Sequence, residues 1–346
     1  MISFIEKIWY SKSRFVLILW PLNLIFYLIV QTKYLLYKVN ILSCKKFSVP
    51  VIVVGNLTVG GTGKTPFINQ LVKQLNNRGF KVGIVSRGYK SQCQSFPHQV
   101  CKTDSVSLVG DEAFMQYRSF NLISKINLPI VIDPNRSRAV EYLSNHNDID
   151  LIISDDGLQH YAMSRDMEIV LFDSKRTFGN RLILPFGPLR EPLSRLTAVD
   201  LIVQNGSKEN PYTDSHAQLV ASEFINLKTG ESFPLDHFSQ QNKSVNAVAA
   251  IGNPQGFFDT LSELVKIDQT VSFIDHHSFS PNDFLSLPNK QLVMTEKDAV
   301  KCMPFAQDNW YYLKVEMKYN KQLINKLDSL ISNLIQKTSK SEVKNG

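Results

Sequence analysis

The chain has 346 residues, of which 43% are hydrophobic and 20% are charged. This length and composition allow a large buried core and exclude an intrinsically disordered protein. The net charge is +7, but residues 1–46 contain seven basic residues and one acidic residue, so the rest of the chain is nearly neutral. A general nucleic-acid-binding surface is therefore not indicated.

The four cysteines predict neither a zinc site nor a disulfide framework, because they show no C-x-x-C spacing and no companion histidine pattern. Reduced thiols in the cytosol fit this pattern best.

The N-terminal segment, residues 1–46, is predicted to associate with a membrane. Residues 15–30 contain no charge and are flanked by basic and aromatic residues. This run is shorter than the about 20 apolar residues that a spanning helix needs, and it contains Pro21 and Asn23. We therefore expect an interfacial helix with its apolar side in the bilayer and its lysines among anionic headgroups. A buried core helix is the alternative, and a full span stays open.

Residues 49–75 predict a strand, a glycine-rich loop and a helix, in the order of a P-loop. The backbone N–H groups of such a loop bind nucleotide phosphates, so we expect ATP or GTP with Mg²⁺. Lys64 would reach the β- and γ-phosphate oxygens, and Thr65 would join the Mg²⁺ shell. The loop residues predicted to contact the nucleotide are Thr58, Val59, Gly60, Gly61, Thr62, Gly63, Lys64 and Thr65.

This loop departs from the commoner P-loop patterns. Thr58 stands where the strict pattern has glycine, and Val59 stands where a K-G-G-x-G-K-T variant has lysine. A glycine-rich turn without a ligand is the alternative interpretation.

Strand-like apolar runs then alternate with helical patterns, which predicts an α/β fold with a doubly wound, mostly parallel sheet. The predicted strands are 81–86, 129–132, 151–154, 168–172 and 201–204. The predicted units are an N-terminal membrane-associated helical segment (1–46), a nucleotide-binding core (47–205), a polar linker (206–243) and a smaller C-terminal α/β lobe (244–346) with a terminal helix.

Two aspartates, Asp155 and Asp156, follow an apolar strand, where P-loop enzymes hold Mg²⁺ directly or through water. Asp111 and Glu112 open a predicted helix that reaches Arg118. Helix capping explains these acids as well as a catalytic role, in which Asp111 would be the general base for an acceptor hydroxyl.

Three further motifs are weaker. Arg87 and Tyr89 follow a strand and could contact phosphate or sugar oxygens. His276 and His277 are adjacent, so they point to opposite faces of an extended segment, and a histidine that orients a carboxylate is favoured over a metal site. Lys297 lies in a helix-capping sequence, but it could also contact nucleotide.

Taken in order, the motifs resemble those of the tetraacyldisaccharide 4'-kinases, the lipid A 4'-kinases. The resemblance covers nearly the whole chain. It is carried by PVIVVGNLTVGGTGKTP, SRGY, GDE, DPNR, SDDGLQH, LPFGPLREP, AAIGNPQGFF, FIDHH and MTEKDAVKC, together with the basic, aromatic N-terminus.

The resemblance implies transfer of the γ-phosphoryl group of ATP to the 4'-hydroxyl of a tetraacylated glucosamine disaccharide at the cytoplasmic face of the bacterial inner membrane. Its implied site has Lys64 and Asp111 paired with His276 as catalytic groups. Thr65, Asp155 and Asp156 would serve the metal, and Arg87, Tyr89 and Glu112 would line the acceptor or phosphate site. The implied partners are the acylated disaccharide lipid and the membrane surface, without nucleic acid or an obligate protein partner.

Two rival functions stay open. A soluble P-loop ATPase or small-molecule kinase would explain the phosphate loop and the two aspartates, but not the basic, aromatic N-terminus. A membrane-attached nucleotide switch would bind a partner in a nucleotide-dependent way and make no phosphorylated lipid.

Overall fold

The computed structural model of the chain describes residues 9–10, 20–207, 210–241, 244–287 and 290–345. Within these ranges, thirteen strands form a single sheet. In chain order they are β1 (Val51–Gly55), β2 (Val82–Ser86), β3 (His98–Gln99), β4 (Ile130–Ile132), β5 (Leu151–Asp155), β6 (Met167–Asp173), β7 (Leu201–Asn205), β8 (His216–Asn226), β9 (Ser232–Pro234), β10 (Val245–Ala249), β11 (Ile267–Ser272), β12 (Leu292–Thr295) and β13 (Trp310–Tyr319).

The helices connect these strands and cover both faces of the sheet. They are α1 (Trp20–Lys38), α2 (Lys64–Asn77), α3 (Val106–Val109), α4 (Asp111–Tyr117), α5 (Arg136–His146), α6 (Leu235–Gln241), α7 (Pro254–Ser262), α8 (Glu296–Cys302) and α9 (Lys321–Asn345). A π-helical segment, Arg118–Ile123, continues α4.

The sheet is mostly parallel and has the order β11-β10-β12-β13-β8-β7-β6-β1-β5-β2-β4-β3, with β9 paired to β8. The antiparallel pairs in the described residues are β13 with β8, β8 with β9, and β3 with β4. The prediction of a mixed α/β fold with a large, mostly parallel sheet is therefore confirmed.

The central strand β1 is buried on both faces, because helices pack against each side of the sheet. Ile52 and Val54 contact the cluster that holds the apolar face of α2. Val51 and Val53 face the opposite cluster, which includes Val140 of α5. This alternation explains why the strand reads as a continuous apolar run rather than as alternating polar and apolar residues.

The predicted strands of the core are confirmed to within two residues, and the predicted buried face of α2 is buried in the structure. The helix expected to run from Asp111 to Arg118 ends at Tyr117 and passes into the π-helical segment. Residues 1–8 and 11–19, which belong to the predicted membrane segment, lie outside the described residues. In the part of the chain that is described, no helix is both long and apolar enough to cross a bilayer.

The polar stretch predicted as a linker, residues 206–243, contains regular structure. The eleven-residue strand β8 lies in it and pairs antiparallel with β13 over nine positions, and β9 and α6 follow. The middle of β8 is exposed or half-buried, so the sequence lacks the apolar run that marks a buried strand. Its stabilising hydrogen bonds come from a strand far along the chain, which local sequence patterns do not reveal.

A core substitution tests the packing of α2 on the sheet. Leu71 is fully buried in this helix, so we expect Leu71→Ala to lower the free energy of unfolding by about 2–5 kcal/mol through lost burial and a residual cavity. Urea unfolding followed by circular dichroism measures this change. Asn76→Ala, at an exposed position of the same helix, is the matched control and should change stability by less than about 0.5 kcal/mol. Equal losses in the two variants would contradict the packing described here.

Candidate active site

The turn between β1 and α2 contains a glycine, Gly63, that no other residue can replace without strain. Gly63 caps α2 with a left-handed backbone, φ 84°, and a Cβ there would lie 2.6 Å from Nδ2 of Asn205. That amide donates a hydrogen bond to the carbonyl of Thr62, at 3.2 Å. The hydroxyl of Thr62 is buried and has no hydrogen-bond partner in the described residues. The turn before α2 therefore contains a buried hydroxyl that lacks a partner within the described ranges, next to the first N–H groups of the helix, which have no acceptor within the helix.

Lys64, the first residue of α2, contacts one of the two predicted aspartates. Its Nζ lies 3.5 Å from Oδ1 of Asp156, and NH1 of Arg190 lies 2.9 and 2.8 Å from the two oxygens of the same carboxylate. Burial acts to raise the pKa of Asp156, but Lys64 and then Arg190 outweigh it and lower the pKa to about 2. Asp156 is therefore a fixed anion between two cations.

Asp155 has the opposite electrostatic environment. It ends β5 and is buried, and this burial, followed by the charge of Glu112, raises the pKa of its carboxyl to about 7. The backbone carbonyl of Asp155 accepts a hydrogen bond from NH2 of Arg136 at 3.0 Å. Burial in turn lowers the pKa of Arg136 to about 10. The two neighbouring aspartates therefore differ in charge state near neutral pH.

The predicted metal residues fit a divalent cation that is held partly by a ligand. The described residues contain no group of three or more His, Cys, Asp or Glu side chains that could form a metal site on their own. Mg²⁺ usually takes one or two carboxylates and completes its shell with substrate phosphates and water. Asp155 suits this role better than Asp156. The negative charge of Glu112 makes an ionised Asp155 unfavourable unless a cation is present, whereas Asp156 is already paired with Arg190 and Lys64. The Thr65 hydroxyl lies in the adjoining first turn of α2.

A carboxylate and a histidine that are 165 residues apart meet in the structure. Oδ2 of Asp111, the first residue of α4, lies 2.8 Å from Nδ1 of His276, in the loop after β11. Its Oδ1 accepts from the backbone N–H of Glu112 at 3.0 Å. Burial acts to raise the pKa of Asp111, but the hydrogen bond from His276 and the charge of Lys297 lower it overall. Asp111 is therefore an ionised, buried acceptor at neutral pH.

Close backbone packing fixes the start of α4. Gly110 has φ 89°, and a Cβ there would lie 2.8 Å from the carbonyl oxygen of Tyr89. The ring of Tyr89 makes an edge contact with the ring of His276, with 5.0 Å between centroids, although Tyr89 is 54% exposed. Tyr89 therefore lies beside the Asp111–His276 pair and opens to solvent.

His277 has a different environment from its neighbour. Its ring stacks on Phe273 with centroids 4.6 Å apart and makes an edge contact with Phe279. The structure therefore directs His276, and not His277, towards Asp111. Arg87 is exposed and follows β2, the strand paired with β5, and its charge lowers the pKa of both Arg136 and His160.

Sequence reasoning did not place Arg190 or Gly252 in the site, and it offered Lys297 only as a nucleotide contact beside a helix-capping role. Arg190 binds Asp156, and Lys297 lies 3.0 Å from Oε1 of Glu112. A Cβ on Gly252, in the loop after β10, would lie 3.7 Å from the backbone nitrogen of Gly61, so this loop closes over the glycine-rich turn. Each belongs to a motif visible in the sequence, but only the tertiary structure reveals the partner.

The N-terminal helix α1 packs beside the site with one face and exposes an apolar face. Buried Asn23 donates to the carbonyl of Ile183 at 3.0 Å, and Lys33 donates to the carbonyl of Gln159 at 3.3 Å. The apolar residues of this helix that are at least 42% exposed are Leu22, Leu24, Ile25, Phe26, Leu28, Ile29 and Leu35. An apolar surface of this size typically marks a lipid or protein contact.

Comparisons with known proteins agree on one family. The family model for tetraacyldisaccharide-1-P 4'-kinase matches residues 15–332. A tetraacyldisaccharide 4'-kinase of Haemophilus influenzae is 44% identical over 89% of this chain and 90% of its own length. One from Legionella pneumophila is 44% identical over 92% of this chain and 95% of its own.

A solved structure is also similar. The crystal structure of the "apo" form of LpxK from Aquifex aeolicus in complex with ATP aligns with a TM-score of 0.74 and 26% identity. The alignment covers 93% of this chain and 99% of that one.

Two glycines with almost the same backbone angle test whether the start of α4 depends on close packing. At Gly79, with φ 87°, an added Cβ would meet no atom of the described residues within 4 Å, whereas at Gly110 it would face the Tyr89 carbonyl. We expect Gly79→Ala to cost about 1–2 kcal/mol of unfolding free energy from strain alone. Gly110→Ala should cost more, because the Cβ also clashes with backbone. Urea unfolding of both variants measures the difference, and equal losses would contradict the close approach.

Proposed function

The chain belongs to the tetraacyldisaccharide 4'-kinase family, and we propose that it transfers the γ-phosphoryl group of ATP to the 4'-hydroxyl of a tetraacylated glucosamine disaccharide lipid, a lipid A precursor. One observation of the geometry supports this proposal best. Asp111 accepts a hydrogen bond from His276, and the charge of Glu112, the next residue in α4, raises the pKa of Asp155. A proton acceptor therefore lies one residue from a carboxylate that acts on Asp155, beside the turn that would hold the phosphate donor.

On the donor side, we assign the triphosphate of ATP to the turn before α2. The backbone N–H groups of residues 58–65 would line this turn, and the cation of Lys64 would neutralise charge that develops on the β- and γ-phosphates. Thr65, Asp155 and Asp156 would hold Mg²⁺, with Asp155 as the principal carboxylate. Bound there with the nucleotide, Mg²⁺ would supply charge neutralisation across the β- and γ-phosphates.

On the acceptor side, we assign Asp111 as the general base. The 4'-hydroxyl oxygen forms a bond to the γ-phosphorus. The bond between that phosphorus and the β–γ bridging oxygen breaks, and ADP leaves with this oxygen. The hydroxyl proton passes to the Asp111 carboxylate, and His276 holds that carboxylate in place. Proton transfer of this kind contributes about 10²–10⁴-fold to the rate. Arg87, Tyr89 and Glu112 would contact the sugar or the phosphates around it.

The acyl chains of the acceptor explain the apolar face of α1. We propose that residues 1–46 bind the cytoplasmic face of the bacterial inner membrane, with the exposed leucines, isoleucines and phenylalanine of α1 in the lipid. The acyl chains would then stay in the leaflet while the disaccharide reaches the turn before α2. The nucleotide-binding core (47–205), the connecting region (206–243) and the C-terminal lobe (244–346) would bind the donor and close over it.

A labelled-phosphate assay tests the proposed reaction. Incubation of the protein with γ-³²P-ATP, Mg²⁺ and the tetraacylated disaccharide should place the label on the 4'-oxygen of the lipid. Lys64→Ala should abolish transfer, because the half-buried cation beside the phosphates is lost, whereas Lys73→Ala on the same helix should retain it. Label released only as inorganic phosphate would favour an ATPase. Binding of nucleotide without any labelled product would favour a nucleotide switch.

Substitutions of the acid and the two histidines test the acceptor side. We expect Asp111→Asn to lower kcat by about 10²–10⁴-fold with little change in KM for ATP, because it removes the base and not the phosphate site. His276→Asn should lower kcat less, since this residue acts through Asp111. His277→Asn should leave kcat nearly unchanged, because its ring packs among phenylalanines. A larger defect at His277 than at His276 would reverse this assignment.

A further inference from the structure

The side chain of Lys297, in the first turn of α8, contacts three groups of the candidate site and acts on the charge of a fourth. Its Nζ lies 3.0 Å from Oε1 of Glu112, 3.3 Å from Nε2 of His276 and 3.7 Å from Oδ1 of Asp275. It also acts on the charge of Asp111, where it lowers the pKa. Lys297 therefore joins α8 to α4 and also contacts the imidazole ring of His276.

We propose that Lys297 is a positioning residue, which holds His276 in the neutral tautomer protonated at Nδ1 and so fixes the Asp111–His276 pair for the phosphoryl transfer. This inference rests on the proposed function for its catalytic consequence. The contacts that define the tautomer are independent of it.

The tautomer follows from the donors and acceptors around the imidazole ring. A lysine ammonium has three donors and no acceptor, so the contact at 3.3 Å requires Nε2 of His276 to accept. The ionised carboxylate of Asp111 has only acceptors, so Nδ1 of His276 must donate across the 2.8 Å contact. Both contacts are satisfied together by one form of the ring, neutral with its proton on Nδ1. The opposite tautomer would direct its N–H at the ammonium and its lone pair at the carboxylate.

The charge of Lys297 is secured by its carboxylate neighbours. Its side chain is only 17% exposed, and this burial acts against the cation, but Glu112, Asp111 and Asp275 together raise its pKa. Lys297 is therefore a permanent donor at neutral pH. A neutral group in its place would leave Nε2 free to take up a proton from solvent.

The backbone around Lys297 and His276 is also fixed. The hydroxyl of Thr295 accepts from the N–H of Asp298 and caps α8, and the buried carboxylate of Asp298 accepts from the N–H of Ala250 at 2.9 Å. His276 has a left-handed backbone, φ 63°, which sets the direction of its ring. The other groups facing the ring are Tyr89, at its edge, and Asp275 on the same loop. Lys297 is the cation that contacts Nε2 among the described residues.

Histidine-selective ¹⁵N labelling tests the tautomer without reference to activity. The ¹⁵N shifts of His276, assigned by their loss in His276→Asn, should show a protonated Nδ1 and an unprotonated Nε2 in the wild-type protein. In Lys297→Met the shift of Nε2 should move towards that of the doubly protonated ring, while Nδ1 stays protonated against Asp111. A wild-type ring protonated at Nε2, or at both nitrogens, would overturn the inference even if the variant does not fold.

Kinetics of the same variants test the consequence for the reaction. We expect Lys297→Met to lower kcat about tenfold or more with KM for ATP changed less than about twofold, because the base is misplaced while the donor site is intact. Lys297→Arg keeps the charge and the donor and should restore most of the rate. A rise in KM for ATP with kcat unchanged would show that Lys297 grips the nucleotide instead.

Lys73→Met is the matched control for a merely structural bridge. Lys73 joins α2 to β13 through Oε1 of Glu316 at 2.8 Å, so it also links the core to the C-terminal lobe, but it does not contact His276. This variant should keep both the ¹⁵N shifts of His276 and kcat. An equal loss of kcat in Lys73→Met and Lys297→Met would contradict the positioning role. A wild-type protein with the expected shifts but no labelled lipid would refute the proposed function and leave the tautomer assignment standing.

Discussion

The pairing of β1 with β5 is the constraint on which the candidate site depends. The two strands are parallel and in register, with Val54 opposite Asp155, so the turn before α2 and the pair of aspartates emerge side by side. Because both strands are buried on both faces, neither end can shift without losing core packing. The carboxyl edge of the parallel sheet therefore places the glycine-rich turn beside a buried carboxylate.

The antiparallel pairing of β8 with β13 connects the C-terminal strands to the core of the sheet and brings their loops near the glycine-rich turn. Nine paired positions carry the sheet from the core to β12, β10 and β11. The loop after β11 then holds His276 against Asp111, and the start of α8 holds Lys297 against Glu112. These contacts join residues that are far apart in the sequence, so they depend on a continuous sheet. A flexible connection would lose conformational entropy when its long loop closed.

The sequence allowed most local elements to be predicted, and the family resemblance implied the pairing of Asp111 with His276, but the other contacts of the candidate site were not foreseen. Apolar runs marked β1, β5 and β6 because buried parallel strands need no polar residues. They did not mark β8, whose stabilisation comes from β13. The glycine-rich turn and Asp155 were recognisable from order along the chain. That Arg190 neutralises Asp156, and that His277 stacks on Phe273, depends on tertiary geometry that no short pattern encodes.

The two neighbouring aspartates differ in charge, which bears on the triphosphate site proposed above. Arg190 and Lys64 neutralise Asp156, whereas burial and Glu112 raise the pKa of Asp155 to about 7, so near neutral pH Asp155 is only partly ionised. Ligand binding that delivers a divalent cation to Asp155 would release its proton and turn an unfavourable buried charge into a ligand. A nucleotide alone would add negative charge beside Asp155 and Glu112 and would be repelled. A cation at Asp155, as proposed above, would offset this repulsion, and the contact of Lys64 with Asp156 keeps that cationic side chain beside the turn.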